Sequence, residues 1–368
     1  MAARSRRRLR IGMLGYGFMG RAHSYAVQRI NTLASGPPVV LEPVVLCGRS
    51  PVAVEEARRT YGWARSAHDW EQLVGDPTLD LFINAGPNGI HAAPAVEALR
   101  RRVHVICEKP LARTAREARH MAEAAESSEA VALCGFNYRF FPAIDLARKL
   151  VQDGRLGELR HFRSRFLLST GLGDQEAGWR SRTEAAGSGA VGDLASHHID
   201  LARVLVGEMT EVAACMSRSR LRGADVDESI RALVTFENGA TGMLEASTVA
   251  GGHVCTSVVE VDGTAGALRF DLARLNELEM RRNGVREVLH VTEPGQPFLA
   301  SWFPAGHGIG WGDSIVHQLA DACWAIVEGG RRPPLGASFR DGYRCAEICD
   351  AMVRSASSRR VEPVSYSL

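Results

Sequence analysis

A short apolar strand running into closely spaced glycines constrains this chain more than any other feature. The stretch LRIGMLGYGFMG, residues 9–20, leads into Gly15, Gly17 and Gly20, and a segment of helical character, residues 21–33, follows. Strand, G-x-G-x-x-G and helix in that order are the context in which such glycines carry a mechanism. Gly15 permits a tight turn, Gly17 leaves the backbone open to a pyrophosphate, and Gly20 allows close helix–strand packing. The helix N-terminus offers unpaired N–H groups and a positive dipole end to phosphate. Phe18 and Met19 lie within the loop and join the candidate cofactor-binding residues. A plain Gly-rich turn is the alternative, since the chain holds 37 glycines.

The residues that follow alternate between strand and helix patterns. Residues 39–47 form a β-branched-rich run closed by Gly48-Arg49-Ser50-Pro51, and residues 52–61 read as a helix. Strands are expected at 79–85, 103–107 and 130–134, with helices after His91 and over 114–127. Such alternation predicts a parallel, doubly wound α/β sheet with right-handed crossovers. Ligands of such sheets sit at the carboxyl ends of the strands. The glycine loop, the segment Ala85-Gly86-Pro87-Asn88 and the tripeptide Glu108-Lys109-Pro110 all fall there. Pro87, Asn88 and His91 are therefore expected beside the bound dinucleotide, and Glu108 is expected to orient cofactor or Lys109.

The end of the second strand bears on coenzyme identity. NAD-binding domains usually place a carboxylate there to hold the ribose diol. This chain has Gly48, Arg49 and Ser50 instead. No acid repels a 2′-phosphate and Arg49 can pair with one. The cofactor is thus expected to be NAD or NADP, with a slight lean to NADP or dual use; Arg49 stacked on adenine is the alternative.

From Asn137-Tyr138-Arg139-Phe140 the pattern changes. A helix over 141–153 precedes alternating runs at 158–168, 211–219, 229–236, 240–248, 256–261, 267–270 and 278–281, with turns such as Glu237-Asn238-Gly239 between them. Period-two alternation with hairpin turns predicts a large, mostly antiparallel sheet. Helices are expected again over 312–328 and 340–357. The chain divides into a dinucleotide-binding Rossmann domain, 1–136, and an α+β domain for substrate and oligomerisation, 137–368, whose last helices return toward the first domain. A sheet with one face left over implies a homodimer or homotetramer through that sheet.

Composition removes several classes of function. With 44 Lys plus Arg against 42 Asp plus Glu the net charge is only +2, so no field favours nucleic acid or an anionic membrane. No apolar run reaches transmembrane length. The basic start MAARSRRRLR contains paired arginines, but the apolar stretch of an export signal does not follow it, and a solvated tail is expected. The eight cysteines are scattered without a C-x-x-C pair, which suggests reduced thiols in a cytoplasmic protein. Only Lys109 and Lys149 are lysines in this Arg-rich chain. At Lys109 a compact ammonium of tunable pKa is a functional candidate, whereas Lys149 needs no more than a place on a helix surface.

The chemical constellation completes itself at GSGAVGDLASHHID, residues 187–200. A helix is expected over 194–206. Asp193 and His197, four apart, would share one of its faces, with Asp200 three residues further. Alone, Asp193 reads as a helix N-cap and His197 as a buried core residue. Beside a lysine at the end of a Rossmann strand, the functional reading gains. The adjacent histidines project differently, which argues against a metal site.

GYGFMGRAHS, CEKPLART, GFNYRFFPA, GSGAVGDLASHHIDLARVLVG and EVDGTAGALRFD together resemble the Gfo/Idh/MocA oxidoreductases, in that family's order and over nearly the whole chain. WRSRTEAAGSGAVGDLASHHID, Val226-Asp227-Glu228 and GIGWGDS are similar to its sugar dehydrogenases. Ala195 stands where the motif often has Gly, and Gly48-Arg49-Ser50 departs more consequentially. The resemblance implies a triad of Lys109, Asp193 and His197. Oxidising a secondary alcohol needs a base for the O–H proton, and an imidazole titrates near neutrality. Lys109 would then stabilise alkoxide character, and its charge would keep His197 neutral. Asp193 would orient substrate or lysine. Tyr138 and Arg139 are expected to face the cleft, and Trp179, Arg180, His307 and Trp311 to meet the substrate. The reading is hydride exchange between NAD(P) and a sugar, aminosugar or cyclitol. Redox-assisted glycoside cleavage with retained NAD, or a non-catalytic NAD(P)-sensing regulator, are the alternatives.

Overall fold

The computed structural model describes residues 6–173, 178–219, 223–293, 295, 304–329 and 335–368. The first five residues of the basic tail lie outside this set. The chain begins with β1 (Arg7–Leu14), α1 (Phe18–Ile30), β2 (Val39–Cys47), α2 (Pro51–Tyr61), β3 (Arg65–Ala67), α3 (Trp70–Val74), β4 (Leu81–Asn84), α4 (Ala92–Arg100), β5 (His104–Cys107), α5 (Ala115–Glu126) and β6 (Ala132–Cys134). These strands form one parallel sheet in the order β3-β2-β1-β4-β5-β6. The order reverses at β1, so a crevice opens beside its carboxyl end, where Rossmann folds bind dinucleotides. The carboxyl-terminal halves of β1, β4 and β5 are buried, as a sheet covered on both faces requires. Three-residue β3 and five-residue α3 were not expected, being too short for a periodic signal.

The second half contains α6 (Pro142–Gln152), β7 (Leu159–Leu167), α7 (Thr183–Ala186), α8 (Ser196–Leu205), β8 (Met209–Arg218), β9 (Asp227–Phe236), β10 (Thr241–Ser247), β11 (Thr256–Gly263), β12 (Gly266–Asp271), β13 (Glu277–Arg282), β14 (Val285–His290), α9 (Asp313–Val327), α10 (Phe339–Ser358) and β15 (Glu362–Pro363). Its nine-stranded sheet has the order β14-β13-β12-β11-β7-β10-β9-β8-β15. Only β7 and β10 pair in parallel. One face carries the core through Phe162, Val234, Leu244, Val259 and Phe270. On the other, Leu233 and Met243 are 58% and 57% exposed, beside Arg165, Arg231, Glu245 and Arg269.

The last two long helices pack against helices of the first half. α9 packs against α1 and α10 against α5. The Ser338 hydroxyl caps α10 in a reciprocal box with Asp341. The loop before α9 is tied across the fold by Asn276, which pairs with Ile309 through both its amide atoms. Asn137 donates to Ser314 at 2.7 Å, fixing the α9 start against the junction between the two sheets.

Candidate active site

The glycine loop has the geometry its spacing predicts. Gly15 has φ +101°, and a Cβ there would stand 2.4 Å from the Ala85 carbonyl oxygen. A Cβ on Gly20 would meet the Gly15 oxygen at 2.3 Å, so neither position admits a side chain. Gly17 faces open space and caps α1 without a side-chain bond. Its neighbour Phe18 is exposed, and Met19 is half-buried at the start of the helix. The first turn of α1 therefore keeps free N–H groups, and its residues fit a dinucleotide pyrophosphate. At the end of β2 the Tyr16 ring covers Gly48, where a Cβ would come within 2.2 Å of it. Arg49 is exposed, and the Ser50 hydroxyl caps α2 by accepting from Ala53.

The next two strand ends are cross-linked by buried polar contacts. His91 is fully buried, with Nε2 3.0 Å from the Gly86 oxygen and Nδ1 3.0 Å from the Pro110 oxygen. Both nitrogens are thus occupied by main chain, and His91 braces the two loops rather than presenting its ring to a ligand. Asn88 is likewise engaged, donating to the Ala186 carbonyl at 2.8 Å, while Pro87 and Ala85 remain partly accessible. Glu108 is buried and lies 2.8 Å from Nε2 of His23 on α1. Its second oxygen accepts from the Lys109 main-chain N–H. This pair joins the phosphate-binding helix to the lysine. His23 was not singled out from sequence; its position three residues past Gly20, on the helix face turned to the sheet, is the signal.

Lys109 follows β5 directly, and its ammonium donates to the Asp193 main-chain oxygen at 2.6 Å and to Asp193 Oδ1 at 2.9 Å. Burial raises the Asp193 pKa, but Lys109 and Arg180 outweigh it and hold the carboxyl below its ordinary range. The element carrying Asp193 differs from expectation. Residues Val191–Ala195 form a π-helical turn, and the regular helix begins only at Ser196. Such turns are uncommon and concentrate at functional sites. The cap is not Asp193 but Asp227 of β9, whose two carboxylate oxygens accept from Gly189 and Val191 at 2.6 and 2.8 Å. Asp193 is thereby released to meet Lys109. The wider turn also separates it from Asp200, which pairs instead with Arg139.

His197 is 8% exposed and its Nδ1 is buried without a hydrogen-bond partner. The Tyr138 ring stacks on it, centroids 4.3 Å apart and planes 19° from parallel, with Phe136 and Phe166 at 6.2 and 6.1 Å. Burial first, then the charges of Lys109 and His198, push the imidazole pKa well below its ordinary value. The ring is therefore in its neutral form at pH 7.

The remaining candidates divide. Arg180 approaches Asp193 to 3.9 Å and lies over the Trp179 ring at 4.4 Å, so both stand beside the Lys109–Asp193 pair. Trp311 stacks on Phe18 with centroids 5.5 Å apart. Arg139 departs from the expected cleft position. Its guanidinium bonds both oxygens of buried Asp200, so its charge is consumed in helix packing. His307 is exposed, with Nδ1 2.8 Å from the Pro304 oxygen.

Residues 9–136 match the oxidoreductase family with an NAD-binding Rossmann fold, and residues 144–269 match the GFO/IDH/MocA C-terminal domain. The chain belongs to the Gfo/Idh/MocA oxidoreductase family. Levoglucosan dehydrogenase of Pseudarthrobacter phenanthrenivorans is 35% identical to it over 95% of this chain and 96% of that one. Inositol 2-dehydrogenase of Rhizobium meliloti is 25% identical over 96% and 98%. A solved levoglucosan dehydrogenase with NADH and L-sorbose superimposes with TM-score 0.92 at 35% identity, covering 98% of this chain and 99% of that chain. As a Gfo/Idh/MocA protein the chain is an oxidoreductase with an NAD-binding Rossmann domain. No helix among the described residues is long and apolar enough to cross a membrane.

Proposed function

We propose that this protein is an NAD(P)-dependent dehydrogenase that interconverts a secondary alcohol and ketone on a neutral sugar, anhydrosugar or cyclitol ring. The observation that carries the reading is the grouping at one strand end of an ammonium, a carboxylate and a neutral imidazole. Similarity to dehydrogenases named for levoglucosan and inositol supports the substrate class. The coenzyme, when bound, supplies the hydride acceptor.

Each side chain then has a distinct task. His197, held neutral, takes the hydroxyl proton as the C–H bond breaks. Lys109 donates to the carbinol oxygen and stabilises its developing negative charge. Asp193 aims the ammonium and shares its charge. Tyr138, Trp179, Arg180 and Trp311 form the surrounding wall, with the aromatic faces suited to the C–H faces of a sugar ring. Pro87, Ala85 and Glu108 border the coenzyme side. We also assign the exposed sheet face around Leu233 and Met243 to pairing with a second copy of this chain.

The test is a panel of sugars, anhydrosugars, inositols and aminosugars with NAD and with NADP, followed at the nicotinamide absorbance. Turnover with a ring polyol that is lost in His197→Ala supports the reading. Tight coenzyme binding without an absorbance change for any polyol overturns it and favours a nucleotide-sensing regulator.

A further inference from the structure

A catalytic imidazole is usually set by the hydrogen bond that its second nitrogen makes. In His197 that nitrogen, Nδ1, is buried and has no partner. The ring is held by stacking instead, with Tyr138 nearly parallel on one face at 4.3 Å between centroids. The two rings belong to different elements. His197 lies on α8, and Tyr138 lies in the four-residue 3-10 turn Asn137–Phe140. So short a turn makes few internal hydrogen bonds, and its anchors to the surroundings place the Tyr138 ring.

Those anchors run in two directions. Toward α9, Asn137 donates to the Ser314 hydroxyl at 2.7 Å, and the Phe140 main-chain oxygen lies 3.0 Å from Nδ1 of His317. Toward α8, Arg139 grips Asp200. Its Nε donates to one carboxylate oxygen at 2.8 Å, and a terminal nitrogen donates to the other. Arg139 is next to Tyr138 in the chain, and Asp200 is three residues past His197. The ring stack and the ion pair therefore join the same two elements side by side. Dispersion contacts between rings are individually weak and non-directional, so a stack alone is free to slide. A bidentate guanidinium–carboxylate fork is directional and resists sliding.

Both ions are buried, with side chains 12% and 1% exposed. Burial of two charges costs much of what their attraction returns, so such a pair is a poor device for stability. Fixed geometry is what an apolar pair would not supply. We infer that Arg139 is a positioning residue for His197: its fork on Asp200 locks the Tyr138 turn to α8 and sets how the phenol ring lies on the imidazole. The inference rests on the assignment of His197 as the base.

Arg139→Met combined with Asp200→Leu removes the pair without changing net charge or leaving a lone buried ion. Asp341, 3.5 Å from the Arg139 guanidinium, keeps its contact with Arg203. The melting temperature should hold or rise, as is common when a buried ion pair is replaced by apolar side chains. The histidine Cε1–H resonances of the coenzyme-free protein, assigned with His197→Asn and His198→Gln, give a readout independent of turnover. The His197 resonance should shift as the Tyr138 ring slides. The His198 resonance should stay, because that ring is held by Ser257 of β11 and Phe166 of β7. With the substrate found by the panel, kcat should fall about ten- to a hundredfold, and KM should change less. Arg139→Lys keeps the charge and loses the fork, needs no repacking, and serves if the double variant does not fold; its His197 resonance should move in the same direction, with a smaller loss of kcat. An unmoved His197 resonance with wild-type kcat overturns the proposal, whatever the melting temperature does. Movement of His197 and His198 together marks a general loosening of α8 and overturns it as well. Near-normal turnover in His197→Ala overturns the base assignment instead, and leaves the resonance shifts to report on the fork alone.

Discussion

The Lys109 ammonium donates twice to one residue, to the main-chain oxygen of Asp193 and to its carboxylate. The two acceptors play different parts. The carbonyl is fixed by the π-helical turn and sets where the nitrogen stands. The carboxylate supplies the opposite charge. Nζ has three donors, so one proton is left beyond these two contacts.

Lys109→Ala is therefore expected to lower kcat about 10²–10³-fold, the usual effect of deleting one donor to a developing oxyanion. NADH affinity, followed by fluorescence titration, should be nearly unchanged. Lys109→Arg should not rescue, because a planar guanidinium cannot reproduce both contacts from a compact point charge. Near-normal turnover in Lys109→Ala would remove the lysine from the mechanism.

The Asp227 carboxylate holds two main-chain N–H groups at the entry to the π turn. Asp227→Ala leaves both buried and unpaired, at a cost of about 1–3 kcal/mol each before relaxation. The midpoint of urea unfolding should fall, and kcat should fall further than that of a surface variant of equal stability. Asp227→Asn keeps one acceptor oxygen and should lie between the two. Unchanged stability in Asp227→Ala would show that the cap does not support the turn.

The Rossmann half was readable because its elements are local and periodic: residues 39–47 are a strand as read, and the glycine loop stands as its spacing required. Lys109 stands out by its rarity and its place after a strand, and Asp193 and His197 by their spacing of four; their union in a triad is what the family resemblance implies. What stayed hidden was long-range or irregular. His23 meets Glu108 across 85 residues, and Asp227 caps a turn 36 residues before it. Neither pairing leaves a periodic trace. The π turn hides because it uses the same residue types as an α-helix. Arg139 misled for a related reason: adjacent to Tyr138 in sequence, it points elsewhere, and its carboxylate partner lies 61 residues away.

Buried neutral histidines give the protein an acid-sensitive stability. Burial pushes His198 down to about 3 and His317 down to about 4 from the ordinary 6.5. The unfolded chain then binds more protons than the folded one as pH falls below 6.5. Stability is complete above that pH and is lost on acidification, at up to about 1.4 kcal/mol per pH unit for each histidine. The melting temperature should decline between pH 6.5 and 5, above the range where carboxylates titrate, and less steeply in His317→Gln. For the same reason the acid limb of kcat/KM assigned to His197 should lie below pH 6.5. A melting temperature constant over that interval would refute the argument.

The exposed sheet face pairs apolar side chains with charges of both signs, which suits a two-fold contact in which Arg231 and Glu245 meet their counterparts. Leu233→Glu combined with Met243→Glu places four extra negative charges in such a dimer. Sedimentation equilibrium should show a shift from dimer or tetramer toward smaller species, with the monomer still folded by circular dichroism. An unaltered mass would place the contact elsewhere.

Coenzyme choice turns on two exposed residues after β2. Arg49 is exposed, and Ser50 is committed to capping α2. Arg49→Ala should weaken NADP binding about two- to fivefold, the size of an exposed ion pair, and leave NAD binding nearly unchanged. Ser50→Asp is the sharper variant, because aspartate caps a helix as well as serine does. The fold is then preserved while a negative charge appears where a 2′-phosphate would lie. Its NADP affinity should fall and its NAD affinity should hold or improve through the ribose diol. Fluorescence titration with both reduced coenzymes decides the matter: equal losses for NADH and NADPH in either variant would mean that Arg49 and Ser50 do not read the 2′ position.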